Sequence, residues 1–386
     1  MKPRTYYPHV EGLRGIAALY VFVFHVWQTG IADAGATLRV LLPATVPWLQ
    51  FGHYAVSAFI VISGYCLGLP VAQKPEAAFD ARRFARRRAR RLGPAYVLAL
   101  ALSVAPFLVA ASLLGKHPPL WHVGAALAAH LLLVHNLIPP LAEYLNGPMW
   151  SIALECQIYV VFALLLVPVW KRAGRWAQLA LALVVGLAPH VFLHGRADYT
   201  MWWLLALFAM GVVAADVTAR GGLHGRAWRA VALLAAGAAL IAILRHGQGA
   251  PDDALWAPDL VVGVAVALLF ATSSDDRPPL TARLLALRPI VFLGTFSYSL
   301  YLVHGPPVIL AGAWLGHIHA GVAASALLYA GLIPAVVAFA YGFSLLAERP
   351  FLSPAFRAAI ERADRAAAVD GTAEEPAVAF GVLSGG

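Results

Sequence analysis

Eleven apolar stretches punctuate the chain, at roughly 12–29, 52–71, 93–115, 122–138, 149–169, 176–193, 200–217, 228–244, 256–272, 290–313 and 321–346. Most reach the ~20 residues a helix needs to cross a bilayer. The polar stretches between them set direction. The loop at 72–92 holds Lys74 and seven arginines, which places it on the cytoplasmic side by the positive-inside rule. The N-terminus is then inside and the 30–51 loop outside. If every later segment crosses, Lys171, Arg172 and Arg175 fall on the wrong side. If 122–138 does not cross, the conflict disappears. Lys171/Arg172/Arg175, Arg220/Arg226/Arg229, Arg277/Arg283/Arg288 and Arg349/Arg357/Arg362 then all lie inside. Segment 122–138 is also short and carries His122, His130 and His135. The pattern predicts an all-α integral membrane bundle of about ten transmembrane helices with both termini cytoplasmic. Segment 122–138 is the extra, non-spanning piece, buried against the bundle or lying at its outer surface. One domain is expected over 1–350. The tail 351–386 is expected to be cytoplasmic and largely disordered, with a short amphipathic helix at 354–366.

Composition agrees with the pattern. Of 386 residues, 61% are hydrophobic and only 12% charged, against about a quarter charged in soluble domains. The net charge of +9 marks cytoplasmic loops and does not argue for nucleic acid. Cys66 and Cys156 each fall in an apolar stretch, with no disulfide framework and no metal-ligand spacing. The first apolar run is long for a signal peptide and is read as retained.

Within that first run, Arg14 and His25 are separated by ten residues. Eleven helical steps of about 100° bring them within roughly 20° of one face, ~16 Å apart along the axis. The helix therefore presents a cation near the inner membrane surface and an imidazole in line with it near the outer one. The structural alternative is a snorkelling arginine and a satisfied core histidine. Other polar residues share the depth of His25. In PMWSIALECQIY (148–159) the span enters from outside, so Glu155 lies about two turns in. In GTFSYSLYLVH (294–304) the span exits outward and His304 reaches its outer third. A buried glutamate needs a partner, and one of these imidazoles or an arginine is expected to supply it. Trp150 and Ser151 have plain roles open to them as an interfacial aromatic and a helix-start cap.

The inner side differs. RRFARRRARRLGPAYV (82–97) packs guanidinium groups, among them Arg87, Arg88 and Arg91, ahead of Pro94, which is expected to start a helix with Tyr96 facing inward. Forked guanidinium donors suit phosphate oxygens, although a topology signal or an anionic-lipid contact explains the run too. His53 and Tyr54 begin the second span and Ser63-Gly64-Tyr65 lie near its middle. A phosphate-friendly inner mouth, a cation at the inner edge and a His/Glu layer ~16 Å farther out fit a long, thin ligand phosphorylated at one end. The phosphopantetheine arm of coenzyme A has that shape.

These blocks, in this order, resemble the membrane-bound acyltransferase-3 family over about residues 6–350. EGLRGIAALYVFVFH is similar to its first-span signature with the Arg14–His25 pair, and FGHYAVSAFIVISGY to the second span ending at Ser63, Gly64 and Tyr65. RRRARRLGPAY resembles the basic entry to the third span. MWSIALECQIY resembles the segment carrying Trp150, Ser151, Glu155, Gln157 and Tyr159, and GTFSYSLYLVH the one carrying Ser297, Tyr298, Ser299, Tyr301 and His304. Glu348-Arg349-Pro350-Phe351 resembles the closing motif. Glu11, Leu92-Gly93-Pro94 and Cys156 depart from the family pattern. Members O-acylate envelope polysaccharides, lipopolysaccharide, peptidoglycan or small natural products, and some carry a fused esterase-like domain. This chain is expected to act alone or with a separate partner.

The resemblance implies an inner-membrane O-acyltransferase, in the simplest case an acetyltransferase. It draws acetyl-CoA from the cytoplasm as donor substrate, with no permanently bound cofactor or metal. Arg87, Arg88, Arg91 and Tyr96 are expected to bind acyl-CoA, and His25, Glu155 and Arg14 to carry catalysis. Ser63, Trp150, Ser151, Tyr298 and His304 would support them. His25 would serve as general base for the acceptor hydroxyl or as transient acyl carrier. The acceptor is a glycan or other hydroxyl compound. Competing readings are a transporter or flippase of an envelope precursor, a succinyl-CoA donor assisted by Arg39, Arg196 or Arg245, and a non-catalytic scaffold.

Overall fold

The computed structural model describes residues 7–33, 47–246, 255–273, 278–352 and 357. Arg39, expected in an outer loop, Arg277 and Arg362, expected on the inner side, the 354–366 helix apart from residue 357, and the tail beyond it lie outside the described residues. Among the described residues every regular element is helical.

We number the helices in chain order: α1 (Pro8–Asp33), α2 (Gly52–Ala72), α3 (Ala81–Leu113), α4 (Leu120–Leu131), α5 (Met149–Ala173), α6 (Arg175–Phe192), α7 (Leu204–Ala219), α8 (Arg226–His246), α9 (Trp256–Thr272), α10 (Leu280–Leu285), α11 (Arg288–Thr295), α12 (Ser297–Val303), α13 (Gly305–His317) and α14 (Val322–Ala347). Eight spans are long and apolar enough to cross a membrane: α1, α2, α3, α5, α6, α8, α14, and α7 together with the turn that leads into it, Asp198–Ala219. The other two expected crossings take different forms. Helix α9 is 17 residues long. The last is a broken run, α11–α12–α13. Its second break follows from Pro306 and Pro307, which remove two backbone donors. The carbonyl of Leu302, the one Pro306 cannot serve, accepts instead from the Asn146 amide at 3.0 Å.

Segment 122–138 forms the short α4 and a pair of tight turns, in keeping with a non-spanning piece. Its polar backbone is covered by side chains. Tyr96 donates to the His130 carbonyl at 3.0 Å, and the Gln157 amide donates to the Leu133 carbonyl and to Asn136 Oδ1, both at 2.8 Å. Irregular backbone at this depth is tolerable only when protein satisfies it in this way.

The bundle is built around the α2–α7 crossing, its most extensive helix contact. Glycine permits it: a Cβ at Gly64 would lie 1.9 Å from the Phe208 carbonyl oxygen, and one at Gly211 2.1 Å from that of Val61. Small residues let apolar helices approach backbone to backbone, where dispersion and close packing hold them. Helix α1 meets α11 in the same manner, with Gly294 against the Glu11 backbone.

The arginine run is a correction to the expected loop. Asp80 caps α3 by accepting from the Arg83 backbone N–H at 2.9 Å, and the helix runs unbroken from Ala81 through Pro94. Pro94 therefore lies inside the helix and does not start it. The run becomes three helical turns in which Phe84, Arg88, Arg91 and Ala95 share the inward face by their 4-3-4 spacing. Lys171 donates to the Pro75 carbonyl at 3.0 Å, so the 171–175 cluster sits on the same face of the bundle as the arginine run. That is the arrangement the loop charges require if 122–138 does not cross.

Candidate active site across the bundle

Three cavities lie in line between the two faces. At the arginine-rich face is a basin of about 710 Å³ lined by Tyr7, Glu11, Arg14, Arg87, Arg88 and Arg91 among others. At the opposite face is a cavity of about 700 Å³ whose walls include His25, His53, Tyr54, Glu143, Trp150 and Tyr301. Between them is a neck of about 80 Å³. The neck shares Arg14, Cys66, Arg88 and Arg91 with the basin, and Val56 and Tyr301 with the outer cavity. A space of ~300 Å³ or more is needed for a drug-sized ligand, so the neck is too small for a bulky group.

Helix α1 spans this system lengthwise. Arg14 stands where basin and neck meet and pairs with Glu11 at 3.4 Å. His25 stands on the outer cavity. Its Nδ1 lies 2.8 Å from the Val21 carbonyl and 3.2 Å from Nε2 of His304. Nδ1 of His304 is in turn 3.0 Å from the Leu300 carbonyl. A carbonyl can only accept, so each Nδ1 carries the proton. His304 Nε2 is then an acceptor toward the His25 N–H, and His25 Nε2 keeps its lone pair. The broken helix matters here. His304 sits at the α12–α13 break, and a Cβ at Gly305 would come 2.5 Å from Asn146 Oδ1, so the loop before α5 packs directly under the histidine.

Glu155 does not join this layer. Trp150 lines the outer cavity, but Glu155, five residues on, lies ~7.5 Å deeper and lines the neck. It accepts from Tyr159 at 2.6 Å, and Tyr159 shares a hydrogen bond of 3.0 Å with Ser63. Its fellow lining residues include Arg14 and Arg88, so the arginine alternative for its neighbourhood describes the structure and the imidazole alternative does not. A π-turn at Phe162–Leu166 follows directly in α5. Pro168 cannot donate to Leu164, and the wider turn absorbs that loss.

Ser151 and Tyr301 share a hydrogen bond of 2.7 Å, and both line the neck. Tyr298 lines it too and donates to the Leu92 carbonyl at 3.1 Å. Ser299 donates to the buried Glu348 at 2.7 Å, which ties the closing motif to the helix that carries Tyr298 and His304. Tyr96 is the exception among the expected donor-binding residues. It is buried, lines none of the three cavities, and spends its hydroxyl on the non-spanning segment.

One cluster escapes motif reading. Asp259 of α9 is fully buried and accepts from His53 Nε2 at 3.0 Å, from Ser57 at 2.6 Å and from the Trp203 indole at 2.7 Å. The signal available for it was a lone acid inside an apolar stretch. Among the described residues no group of three or more His, Cys, Asp and Glu side chains could hold a metal ion.

Comparison with known proteins places these features in a wider set. A family model described as an acyltransferase domain matches residues 7–345. The acyltransferase MdmB of Streptomyces mycarofaciens is 27% identical over 335 residues, covering 79% of this chain and 80% of that protein. The O-acetyltransferase OatA of Staphylococcus aureus is 24% identical over 335 residues, 80% of this chain; the match spans only about half, 52%, of its own length. The putative membrane-bound transacylase BcsY of Komagataeibacter xylinus is 25% identical over 384 residues, 95% of this chain and 88% of its own. No solved structure matches.

Proposed function

The chain belongs to the acyltransferase-3 family, and from that premise we propose that it carries an acyl group from cytoplasmic acyl-CoA to a hydroxyl acceptor on the far side of a bacterial inner membrane. The observation that carries this reading is the alignment of basin, neck and outer cavity along α1, with Arg14 at one junction and His25 at the far end.

The basin offers Arg87, Arg88 and Arg91 to the phosphates of the CoA nucleotide. The neck is too small for a nucleotide, so the thin pantetheine arm is the part of CoA that would enter it, with Arg14 at its entrance. The thioester then arrives near His25. The hydroxyl oxygen of the acceptor attacks the carbonyl carbon, and His25 Nε2 takes the hydroxyl proton. As the C–S bond breaks, the proton passes to the sulfur, leaving an ester and free CoA thiol. The His25 imidazolium formed in between still holds Nδ1–H toward His304, whose ring lone pair stabilises it. Glu155 offsets the arginine charge in the neck.

Acetyl is the acyl group this site favours. A succinyl group would want a cation in the outer cavity, and no Arg or Lys lines that cavity among the described residues. OatA, similar over 80% of this chain, is an O-acetyltransferase, which points the same way. The shared face of Lys171 and the arginine run supports cytoplasmic termini through the positive-inside rule.

The test is release of free CoA thiol from acetyl-CoA by the purified protein in lipid. The expected result is turnover by the wild type that His25→Ala abolishes while retaining expression and a cooperative melt. Equal turnover by wild type and H25A would falsify the mechanism, and acceptor flux without acetyl-CoA consumption would favour a transporter.

A further inference from the structure

The basin carries more positive charge than a diphosphate needs. Its lining holds Arg14, Lys74, Arg83, Arg87, Arg88 and Arg91 against Glu11 and Asp80. Arg14 and Glu11 pair at 3.4 Å and cancel. Five cations then stand against Asp80, the cap of α3, which leaves a surplus of four charges. The cations are also sorted by depth. Arg88 and Arg91 line both basin and neck, whereas Lys74, Arg83 and Arg87 line the basin alone. Arg83 lies five residues before Arg88 and eight before Arg91 on one unbroken helix, so it stands ~7.5 and ~12 Å farther out along the axis. Lys74 sits on the turn between α2 and α3, and that turn is fastened from outside. Lys171 of α5 donates to the carbonyls of Pro75 and Ala77, just beyond Lys74. At the inner end, Arg88 Nε is buried with no hydrogen-bond partner. Such a donor is costly until a ligand brings an acceptor.

Coenzyme A presents its charges in the same order. The pantetheine arm leaves one side of the diphosphate, and the ribose on the other side bears a 3′-phosphate. With the arm in the neck, the diphosphate meets Arg88 and Arg91 at the junction. The 3′-phosphate then falls farther out, among the cations that line the basin alone. The diphosphate brings about two negative charges and the phosphate monoester ~1.5–2, close to the surplus. We propose that Lys74 and Arg83 form a subsite for the 3′-phosphate, so that the protein selects its donor by a group remote from the thioester. Arg87, one turn deeper than Arg83, stands between the two phosphate positions. The inference rests on the acyl-CoA reading above and adds to it a basis for donor selectivity. A pantetheine donor without the 3′-phosphate leaves Lys74 and Arg83 uncompensated.

Cys66 supplies a readout that needs no turnover, because it is exposed and lines basin and neck beside Arg88 and Arg91. The full-length protein in lipid is treated with a thiol reagent in the presence of desulfo-CoA or its 3′-dephospho form. Labelling of Cys66 is read by peptide mass spectrometry. Desulfo-CoA should half-protect Cys66 at a concentration about tenfold or more below that of the dephospho form. In the double variant Lys74→Gln/Arg83→Gln the two concentrations should converge, through weaker protection by desulfo-CoA. Arg91→Gln should weaken both ligands and keep their ratio, since both carry the diphosphate. Arg82→Gln/Arg90→Gln removes the same charge from residues outside basin and neck and should also keep it. A wild-type ratio near one, or no protection by either ligand, overturns the proposal. So does a ratio that survives K74Q/R83Q, or one that R82Q/R90Q lowers as far, which would reduce the preference to a general field. The ratio compares two ligands on one preparation, so partial unfolding leaves it unmoved. Release of CoA thiol from acetyl-CoA, followed separately, keeps the two readings apart. Preferential protection without turnover sinks acyl transfer and leaves the subsite standing, whereas turnover without the preference sinks the subsite alone.

Discussion

Nε2 of His304 lies 3.2 Å from Nδ1 of His25, and each Nδ1 is also held by the carbonyl four residues earlier in its own helix. Two helices far apart in sequence thus fix one tautomer, with the His25 Nε2 lone pair free for chemistry. In the proposed mechanism His304 takes the part a carboxylate plays in other histidine bases, but as a neutral ring. His304→Phe keeps the ring shape and removes the acceptor. The expected result is a fall in kcat of about 10²-fold with little change in KM for acetyl-CoA, the lower end of the range for general-base catalysis. His304→Gln, which can still accept, should be milder. Steady-state kinetics on both variants check this, and a kcat in H304F equal to wild type would remove His304 from the mechanism.

The donor end makes a separate prediction. Arg88 and Arg91 line both basin and neck, whereas Arg82 and Arg90 line neither. A charge-assisted hydrogen bond to phosphate contributes ~1.5–3 kcal/mol, so Arg88→Ala or Arg91→Ala should raise KM for acetyl-CoA roughly 10- to 100-fold. Arg82→Ala should leave it within about twofold. Cys66 lines the neck beside them and gives an independent readout. A thiol reagent should modify Cys66 in the free protein, and desulfo-CoA, which has no thiol to consume the reagent, should protect it. A KM that responds equally to Arg82 and Arg88 would reduce the run to a topology signal.

How far the sequence reached can be read from these same residues. Apolar length and loop charge were sufficient for the helical bundle and for the non-spanning place of 122–138, because both depend on one-dimensional quantities. The Arg14–His25 line was legible because a single helix carries both. Glu155 was placed by depth alone. Depth along a helix carries no information on azimuth against its neighbours, and a turn's difference moved the carboxylate from the imidazoles to Tyr159 and the neck arginines. The partnership of His53 with Asp259, 206 residues apart, has no local signature whatever. Tyr96 misled for the converse reason: its position beside the arginines said nothing of its hydroxyl, which the non-spanning segment needed.

That segment carries a pH dependence. His130 and His135 are fully buried, their rings stacked with centroids 3.7 Å apart and planes 6° from parallel. Burial, with the neighbouring His130 ring second, pushes His135 down from its ordinary value of 6.5 to about 4. The folded protein keeps the ring neutral in that window while the unfolded chain protonates it. The unfolded state then binds more protons, so stability falls as pH drops from 6.5 toward 4, by something on the order of a few kcal/mol in total. His135→Phe, which keeps a ring to stack, should flatten the pH dependence of the melting temperature over this range. An unaltered slope in H135F would assign the acid sensitivity elsewhere.

The α2–α7 crossing supplies the last prediction, because the whole site hangs from it. Ser57 and Ser63 project from α2 toward Asp259 and Tyr159, while Trp203 approaches Asp259 from the start of α7. A methyl at Gly64 would meet a backbone oxygen at 1.9 Å, and one at Gly211 would meet another at 2.1 Å. Neither obstacle is a flexible side chain that can turn aside, so the helices must separate. Overpacking of this kind costs ~1–3 kcal/mol and more where backbone must move. Gly64→Ala and Gly211→Ala should each lower the melting temperature clearly. Gly237→Ala on α8, where a Cβ meets nothing within 4 Å, should leave it unchanged or raise it slightly. The two destabilised variants should also lose acyl transfer beyond what the melt explains, since separating α2 from α7 pulls Trp203 away from Asp259 and loosens His53. If G64A and G211A melt like G237A, the close crossing is not what organises this bundle.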